Sequence, residues 1–155
     1  MPQPVLQTLM GAVGSLGFAI LFHVRGRHLA FTFLGGLVGW GVYCLAALRI
    51  ENEALRYLIA TAALGLYAEG MARILHCPSP VLLVTGWIPL IPGGSLYTSI
   101  SALVSGRLAE FTDRTLHTIL LMIAMSAGML LSMTVMHILL PRRGEKKRRT
   151  PPPAG

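Results

Sequence analysis

Five apolar stretches run through this chain, and short polar or charged connections separate them. Each stretch has about 20 residues, the length at which a helix crosses the hydrocarbon core of a bilayer. Charged residues make up only 12% of the chain, against about 25% in an ordinary soluble domain. The pattern therefore predicts an all-α integral membrane protein with about five transmembrane helices. The predicted spans are Val5–Phe22, Leu29–Leu48, Leu55–Leu75, Val81–Val104 and Thr115–Leu140.

Residues 141–155, PRRGEKKRRTPPPAG, differ in composition from the rest of the chain. They hold six of the thirteen basic residues and supply +5 of the net charge of +7. Because Lys and Arg beside a span stay in the cytoplasm, we predict a helical bundle over residues 1–140 and a basic, Pro-rich cytoplasmic tail over residues 141–155. The tail either fixes the orientation alone or also binds anionic lipid head groups. This position of the charge argues against nucleic acid as a partner.

The charge distribution also predicts the orientation of the chain. With five crossings and a cytoplasmic C-terminus, the N-terminus lies outside. Nine basic residues then fall on the cytoplasmic side and four outside, in agreement with the positive-inside rule. An even number of crossings would break that agreement. The four outside are Arg49, Arg56, Arg107 and Arg114.

Small residues recur at intervals of four on four of the spans. Such stripes let the backbones of membrane helices approach closely. They predict that the spans pack into one compact bundle rather than acting as independent anchors. The stripes are Gly11, Ser15 and Ala19; Gly35 and Gly39; Thr61 and Gly65; and Ala124, Gly128 and Ser132.

One stripe continues into two charged residues, Glu69 and Arg73, which share its helix face. An ionisable side chain inside a membrane span has a high free-energy cost, and such a residue is therefore a candidate for function. The spacing also suits an ion pair between neighbouring turns of the helix. Two interpretations follow: a structural pair near the helix end, or a carboxylate that titrates or contacts substrate.

The fourth span contains strong helix breakers near its centre. Irregular backbone at the bilayer midplane persists only where it is buried in protein or lines a wet cavity, and transporters use such breaks to bind substrate. A proline kink is the simpler alternative, but four breakers within six positions favour a true break. The positive end of the second half-helix would face a carboxylate. The candidate substrate-path residues here are Pro89, Pro92, Gly93, Gly94, Ser95, Tyr97 and Thr98.

Motifs for enzymatic chemistry are missing from the sequence. There is no G-x-S-x-G turn, no P-loop and no pair of catalytic carboxylates. The five histidines lack the spacing of metal ligands. We therefore predict that the chain is not an enzyme and carries neither a metal nor a cofactor.

The stretch HCPSPVLLVTGWIPLIPGGSLYTSI resembles the signature of the threonine/serine exporter family. His76 and Pro78 match the first element of that signature. The turn after the first span departs from the family pattern, because His23 and Arg25 stand where an Asn-x-Pro is common. The span pattern is similar up to the tail, and residues 76–98 are the specific part. The second element is matched by Pro89, Pro92, Gly93, Gly94, Leu96 and Tyr97.

The resemblance implies a function that the residues alone do not. Full-length members look like two fused five-span halves, and this chain is similar to the second half. It implies a subunit of a bacterial inner-membrane exporter of small carboxylate-bearing metabolites, either threonine/serine-type amino acids or dicarboxylates such as succinate. The implied energy source is the proton motive force, and the implied partner is a larger membrane subunit similar to the first half. A non-transporting scaffold or assembly subunit is the alternative.

Overall fold

The structure is a computed structural model that describes residues 4–75 and 79–139. The predicted tail and the motif residues His76 and Pro78 lie outside the described residues. The described part folds into six α-helices and one 3₁₀ turn. The elements are α1 (Pro4–Leu21), α2 (His28–Ala47), α3 (Glu53–Leu75), α4 (Ser79–Trp87), the 3₁₀ turn (Ile88–Leu90), α5 (Gly93–Val104) and α6 (Leu108–Leu139).

The prediction of an all-α membrane protein is confirmed. Helices α1, α2, α3 and α6 are each long and apolar enough to cross a membrane. The segment from α4 through the 3₁₀ turn to α5 is a fifth candidate, with a bend of 48° at the break.

Contacts between helices show that this bent segment is a single crossing. Thr61 of α3 packs on Gly128 of α6, and four residues later on both helices Gly65 packs on Ser132. Helices α3 and α6 therefore run parallel. Parallel neighbours require the chain between them to return to its starting side. The α4–α5 segment therefore crosses the bundle, and the described residues make five crossings.

The alternation of direction gives the bundle two distinct ends. One, the Glu53 end, contains the start of α1, the loop between α2 and α3, and the connection from Val104 to Leu108. The other, the Arg73 end, contains the end of α3 and the end of α6. Pro4 and Leu139 consequently lie at opposite ends.

The predicted small-residue stripes lie in the helix interfaces. Gly11, Ser15 and Ala19 are all buried in α1, and Ala124, Gly128 and Ser132 are all buried in α6. A side chain at Gly128 would collide with the Thr61 hydroxyl, and one at Gly65 would collide with Ser132. These positions must therefore stay small for α3 and α6 to touch.

The break lies at mid-depth in the bundle. Leu90 is fully buried and fills the space left by Gly39, near the middle of α2. The Pro89 ring packs on Gly14 in the second half of α1, where a Cβ atom on that glycine would lie 3.4 Å from the ring. The turn is therefore packed in protein, as irregular backbone at this depth requires.

Helix α6 begins earlier than the apolar pattern predicts, at Leu108 instead of Thr115. Its 32 residues extend about 48 Å at about 1.5 Å per residue, well beyond a hydrocarbon core of about 30 Å. The first turns of α6 therefore extend past the apolar core at the Glu53 end. They carry Glu110, Asp113 and Arg114.

Candidate functional site

A polar cavity of about 350 Å³ lies between α5 and the start of α6. Both helices place their side chains there because they run side by side from the short connection at residues 105–107. The lining contains hydroxyls, an acid, a base and an imidazole. These residues are Ser95 and Thr98 from α5, and Asp113, Arg114 and His117 from α6.

The hydroxyls of α5 are oriented by their own helix. Thr98 Oγ1 donates to the Ser95 carbonyl at 3.1 Å, and Ser99 Oγ donates to the same carbonyl at 2.8 Å. A hydroxyl that donates to the backbone still has lone pairs that accept hydrogen bonds. Thr98 therefore offers an acceptor to a ligand. Behind it, Ser99 and Thr118 join the two helices at 3.4 Å between hydroxyl oxygens.

Arg114 supplies the positive charge of the cavity. Its Nη2 contacts Glu110 Oε1 at 2.5 Å, and Arg107 Nη1 contacts the other oxygen of Glu110 at 2.6 Å. One carboxylate is thus shared by two guanidinium groups. Because a guanidinium has five N–H donors, Arg114 keeps donors for a second carboxylate. Asp113 places a negative charge on the adjacent position of the helix.

His117 connects the cavity to α3. Its Nε2 lies 3.0 Å from Glu53 Oε2. The Tyr43 hydroxyl donates to Glu53 Oε1 at 3.3 Å. The first residue of α3 is therefore held by one group from α6 and one from α2.

The residues of the predicted break divide into a buried part and an open part. Leu90 and Pro92 are buried, and the Pro89 carbonyl accepts a hydrogen bond from Trp40 Nε1 at 3.1 Å. That carbonyl is thus occupied and not free for a substrate.

Gly93 and Gly94 form the open part. Both are exposed, and a side chain at either would meet nothing within 4 Å. Neither has a positive φ, so no backbone strain requires glycine here. They form the first turn of α5 and lead directly to Ser95 in the cavity.

Tyr97 does not line the cavity. Its side chain is 73% exposed, on a face of α5 that includes the exposed residues Ile100 and Val104. A role in contacting substrate within this chain is therefore not supported by its placement.

Glu69 and Arg73 lie at the opposite end of the bundle. Their side chains are 3.9 Å apart, and Arg73 Nη2 donates to the Met136 carbonyl at 3.3 Å. Met136 is about 33 Å from Arg114 along α6, at about 1.5 Å per residue. A cation that binds a carbonyl near the C-terminus of a helix is a stabilising arrangement. This placement supports the structural interpretation of the pair and separates it from the cavity.

Three of the five residues that line the cavity are not among the site residues predicted from the sequence. Asp113 and Arg114 precede the predicted fifth span, where Arg114 counts only as an outside basic residue, and His117 lies inside that span as one of the histidines without metal-ligand spacing. Their spacing, with Glu110, of three, four and seven positions is that of one helix face, and this signal could have found them. Glu53 and Trp40 gave no local signal, because their partners are distant in sequence.

A family model described as "Threonine/Serine exporter, ThrE" matches residues 7–135. The match begins in the first turn of α1, ends four residues before the end of α6, and includes the break and the cavity.

The chain belongs to the threonine/serine exporter family.

The family resemblance predicted from the break motif is therefore confirmed. Membership of the threonine/serine exporter family makes the chain a multi-pass membrane protein with an export function. No solved structure matched the chain.

Proposed function

We propose that this member of the threonine/serine exporter family is a subunit of an exporter of small carboxylate-bearing metabolites, driven by the proton motive force. The cavity between α5 and α6 is the substrate path through this subunit. The observation that carries the proposal is the adjacent pair Asp113 and Arg114, together with the hydroxyls of Ser95 and Thr98 around one cavity.

The chemistry of the cavity suits an amino acid. Arg114 provides a planar pair of donors for a carboxylate, and the first turn of α5 adds the positive end of a helix. Asp113 and the Thr98 hydroxyl oxygen accept hydrogen bonds from an ammonium group. A dicarboxylate such as succinate would bring a second negative charge towards Asp113. A zwitterionic amino acid of the threonine/serine type is thus favoured over a dicarboxylate.

The proposed location is the bacterial cytoplasmic (inner) membrane, with the C-terminus in the cytoplasm and the N-terminus outside. The positive-inside distribution of basic residues supports this orientation. The Glu53 end then faces outwards, so the cavity lies on the side where an exported substrate leaves.

A larger membrane subunit resembling the first half of the exporter is the proposed partner. The outward face of α6 bears a groove of about 370 Å³ that contains the small residues Ser126 and Ala127 among larger apolar side chains. Small residues let a second helix approach closely within lipid. The exposed face of α5 around Tyr97 and Val104 offers a further apolar surface.

The test is an efflux assay on Arg114→Gln, expressed together with the proposed larger subunit in cells that lack the native gene. Loss of a charged hydrogen bond to the substrate should lower threonine efflux at least about tenfold, with the complex present at its normal amount. The matched control is Arg107→Gln, which removes the other arginine bound to Glu110 but does not line the cavity.

Efflux of the control should stay close to that of the parent. Equal efflux from both variants would contradict the proposed path. If deletion of the gene leaves efflux per assembled partner unchanged, the chain is a scaffold subunit instead.

A further inference from the structure

A continuous series of side-chain contacts joins the cavity to the break. At the cavity, His117 Nε2 and Glu53 Oε2 are 3.0 Å apart. The other carboxylate oxygen of Glu53 accepts the hydroxyl hydrogen bond of Tyr43 at 3.3 Å. Glu53 is therefore a bridge between α6, which lines the cavity, and α2, which lies behind it.

The series continues from Tyr43 to the break. The Tyr43 and Trp40 rings form an edge-to-face contact at 5.4 Å between centroids, with an angle of 74° between the planes. The Trp40 indole then donates to the Pro89 carbonyl at 3.1 Å. Four contacts thus lead from His117 to the backbone of the 3₁₀ turn.

The pair of Glu53 and His117 is partly exposed, and no lysine or arginine side chain pairs with Glu53 among the described residues. Arg56 is close in sequence, but its Nε donates to the Ile50 carbonyl at 2.6 Å and its Nη2 to the Glu51 carbonyl at 3.0 Å. Among the described residues, His117 is the one basic side chain within 4.0 Å of the Glu53 carboxylate. The charge of this pair therefore depends on protonation, because histidine is charged only when protonated.

The other charged or titratable groups near the pair belong to known contacts. On α6, Glu110 is shared by Arg107 and Arg114, and Asp113 lines the cavity. On α3, the Tyr57 ring packs on Tyr43 at 4.8 Å between centroids. The cavity face of α5 contributes the hydroxyls of Ser95 and Thr98.

We propose that Glu53 and His117 together bind the proton that drives export, and that Tyr43 and Trp40 transmit the protonation state of this pair to the break. The inference rests on the proposed export function. A proton from the Glu53 end adds to a lone pair of the carboxylate or imidazole and raises the charge of the pair by one. No covalent bond between heavy atoms changes. Protonated Glu53 holds the Tyr43 hydroxyl less strongly, because a neutral carboxyl is a weaker hydrogen-bond acceptor. The contacts that lead from Tyr43 through Trp40 to the Pro89 carbonyl are thereby weakened.

The test uses the complex of this chain with its larger partner in liposomes and two assays on Glu53→Gln. One assay measures threonine efflux against its gradient, driven by an imposed pH difference. The other measures exchange of labelled for unlabelled threonine at equal concentrations, which needs no net proton movement. We expect driven efflux to fall at least about tenfold and exchange to stay within about twofold of the parent.

The matched control is Glu51→Gln, an exposed acid two residues earlier, which should retain both activities. Driven efflux that persists in Glu53→Gln would overturn the proton site. Equal loss of both activities per assembled complex would also overturn it, since that is the result of a structural role. If the unchanged complex performs neither activity, the export function itself fails, and this inference with it.

A second variant covers the case in which Glu53→Gln does not assemble. Tyr43→Phe keeps the ring contacts and removes one donor that stabilises the charged carboxylate. The charged carboxylate is then less stabilised by hydrogen bonding, so the pH of half-maximal driven efflux should shift upwards. Tyr67→Phe, which loses a hydroxyl bound to the Phe31 carbonyl at 2.8 Å, is the control and should show no shift. An unchanged midpoint in Tyr43→Phe would overturn the proposal.

Discussion

At the scale of single residues, Trp40 holds the break in place. Its ring covers the bare backbone of Gly11, where any side chain would collide with it. Its N–H satisfies the Pro89 carbonyl, which the 3₁₀ turn takes out of the regular helical pattern. A buried carbonyl left without a partner costs about 1–3 kcal/mol. Trp40 thus stabilises an irregular turn that a membrane interior would otherwise disfavour.

The two tryptophans of the chain allow this hydrogen bond to be measured. Trp40→Phe should destabilise the protein by about 1–3 kcal/mol more than Trp87→Phe. Both changes remove the same atoms, but the Trp87 indole nitrogen is buried with no partner among the described residues. Denaturant unfolding in detergent micelles provides the comparison. Equal destabilisation by the two changes would show that the hydrogen bond to Pro89 contributes nothing.

At the scale of elements, the break separates a packed turn from an open helix start. The 3₁₀ turn is fixed by Leu90 and Trp40 against α1 and α2. The first turn of α5, with Gly93 and Gly94, is exposed and has room for side chains that it does not carry. Packing explains the prolines and the leucine of this segment but not the two glycines. Glycine at these two positions leaves the backbone at the start of α5 accessible to a substrate, which packing does not explain.

The paired change Gly93→Ala and Gly94→Ala tests that reason. Helix propensity favours alanine by up to about 1 kcal/mol at each position, so stability and assembly should be kept or improved. Efflux per assembled complex should fall, because the methyl groups cover the start of α5. Gly17→Ala in α1, also in open space, is the control and should leave efflux unchanged. Improved stability with unchanged efflux in the paired variant would remove the glycines from the substrate path.

Local sequence patterns predicted the helices and the break, but they could not predict contacts between residues that are far apart in the chain. Apolar length gave the five spans, and the cluster from Pro89 to Gly94 gave the break at mid-depth. Helical spacing placed Glu69 and Arg73 on one face, but it carries no information on depth relative to the cavity. The contact of Trp40 with Pro89 joins residues far apart in the chain. The start of α6 was missed because its first turns are polar and extend beyond the apolar core.

At the scale of the whole molecule, the direction of each helix places the cavity. Five crossings put Pro4 and Leu139 at opposite ends, and the cavity lies at the Glu53 end with the start of α3. The Arg73 end carries the contact of Arg73 with Met136. One end thus contains the groups suited to binding a zwitterion, and the other contains a pair that stabilises the end of α6.

Substrate protection of a cysteine in the cavity tests the central claim most directly. In a background without Cys44 and Cys77, Thr98→Cys should react with a membrane-impermeant thiol reagent in intact cells that also contain the partner subunit. Threonine should slow that reaction. Thr112→Cys, exposed in the polar first turns of α6 and outside the cavity lining, should react without protection. Equal rates with and without threonine at position 98, or equal protection at both positions, would contradict a substrate path between α5 and α6.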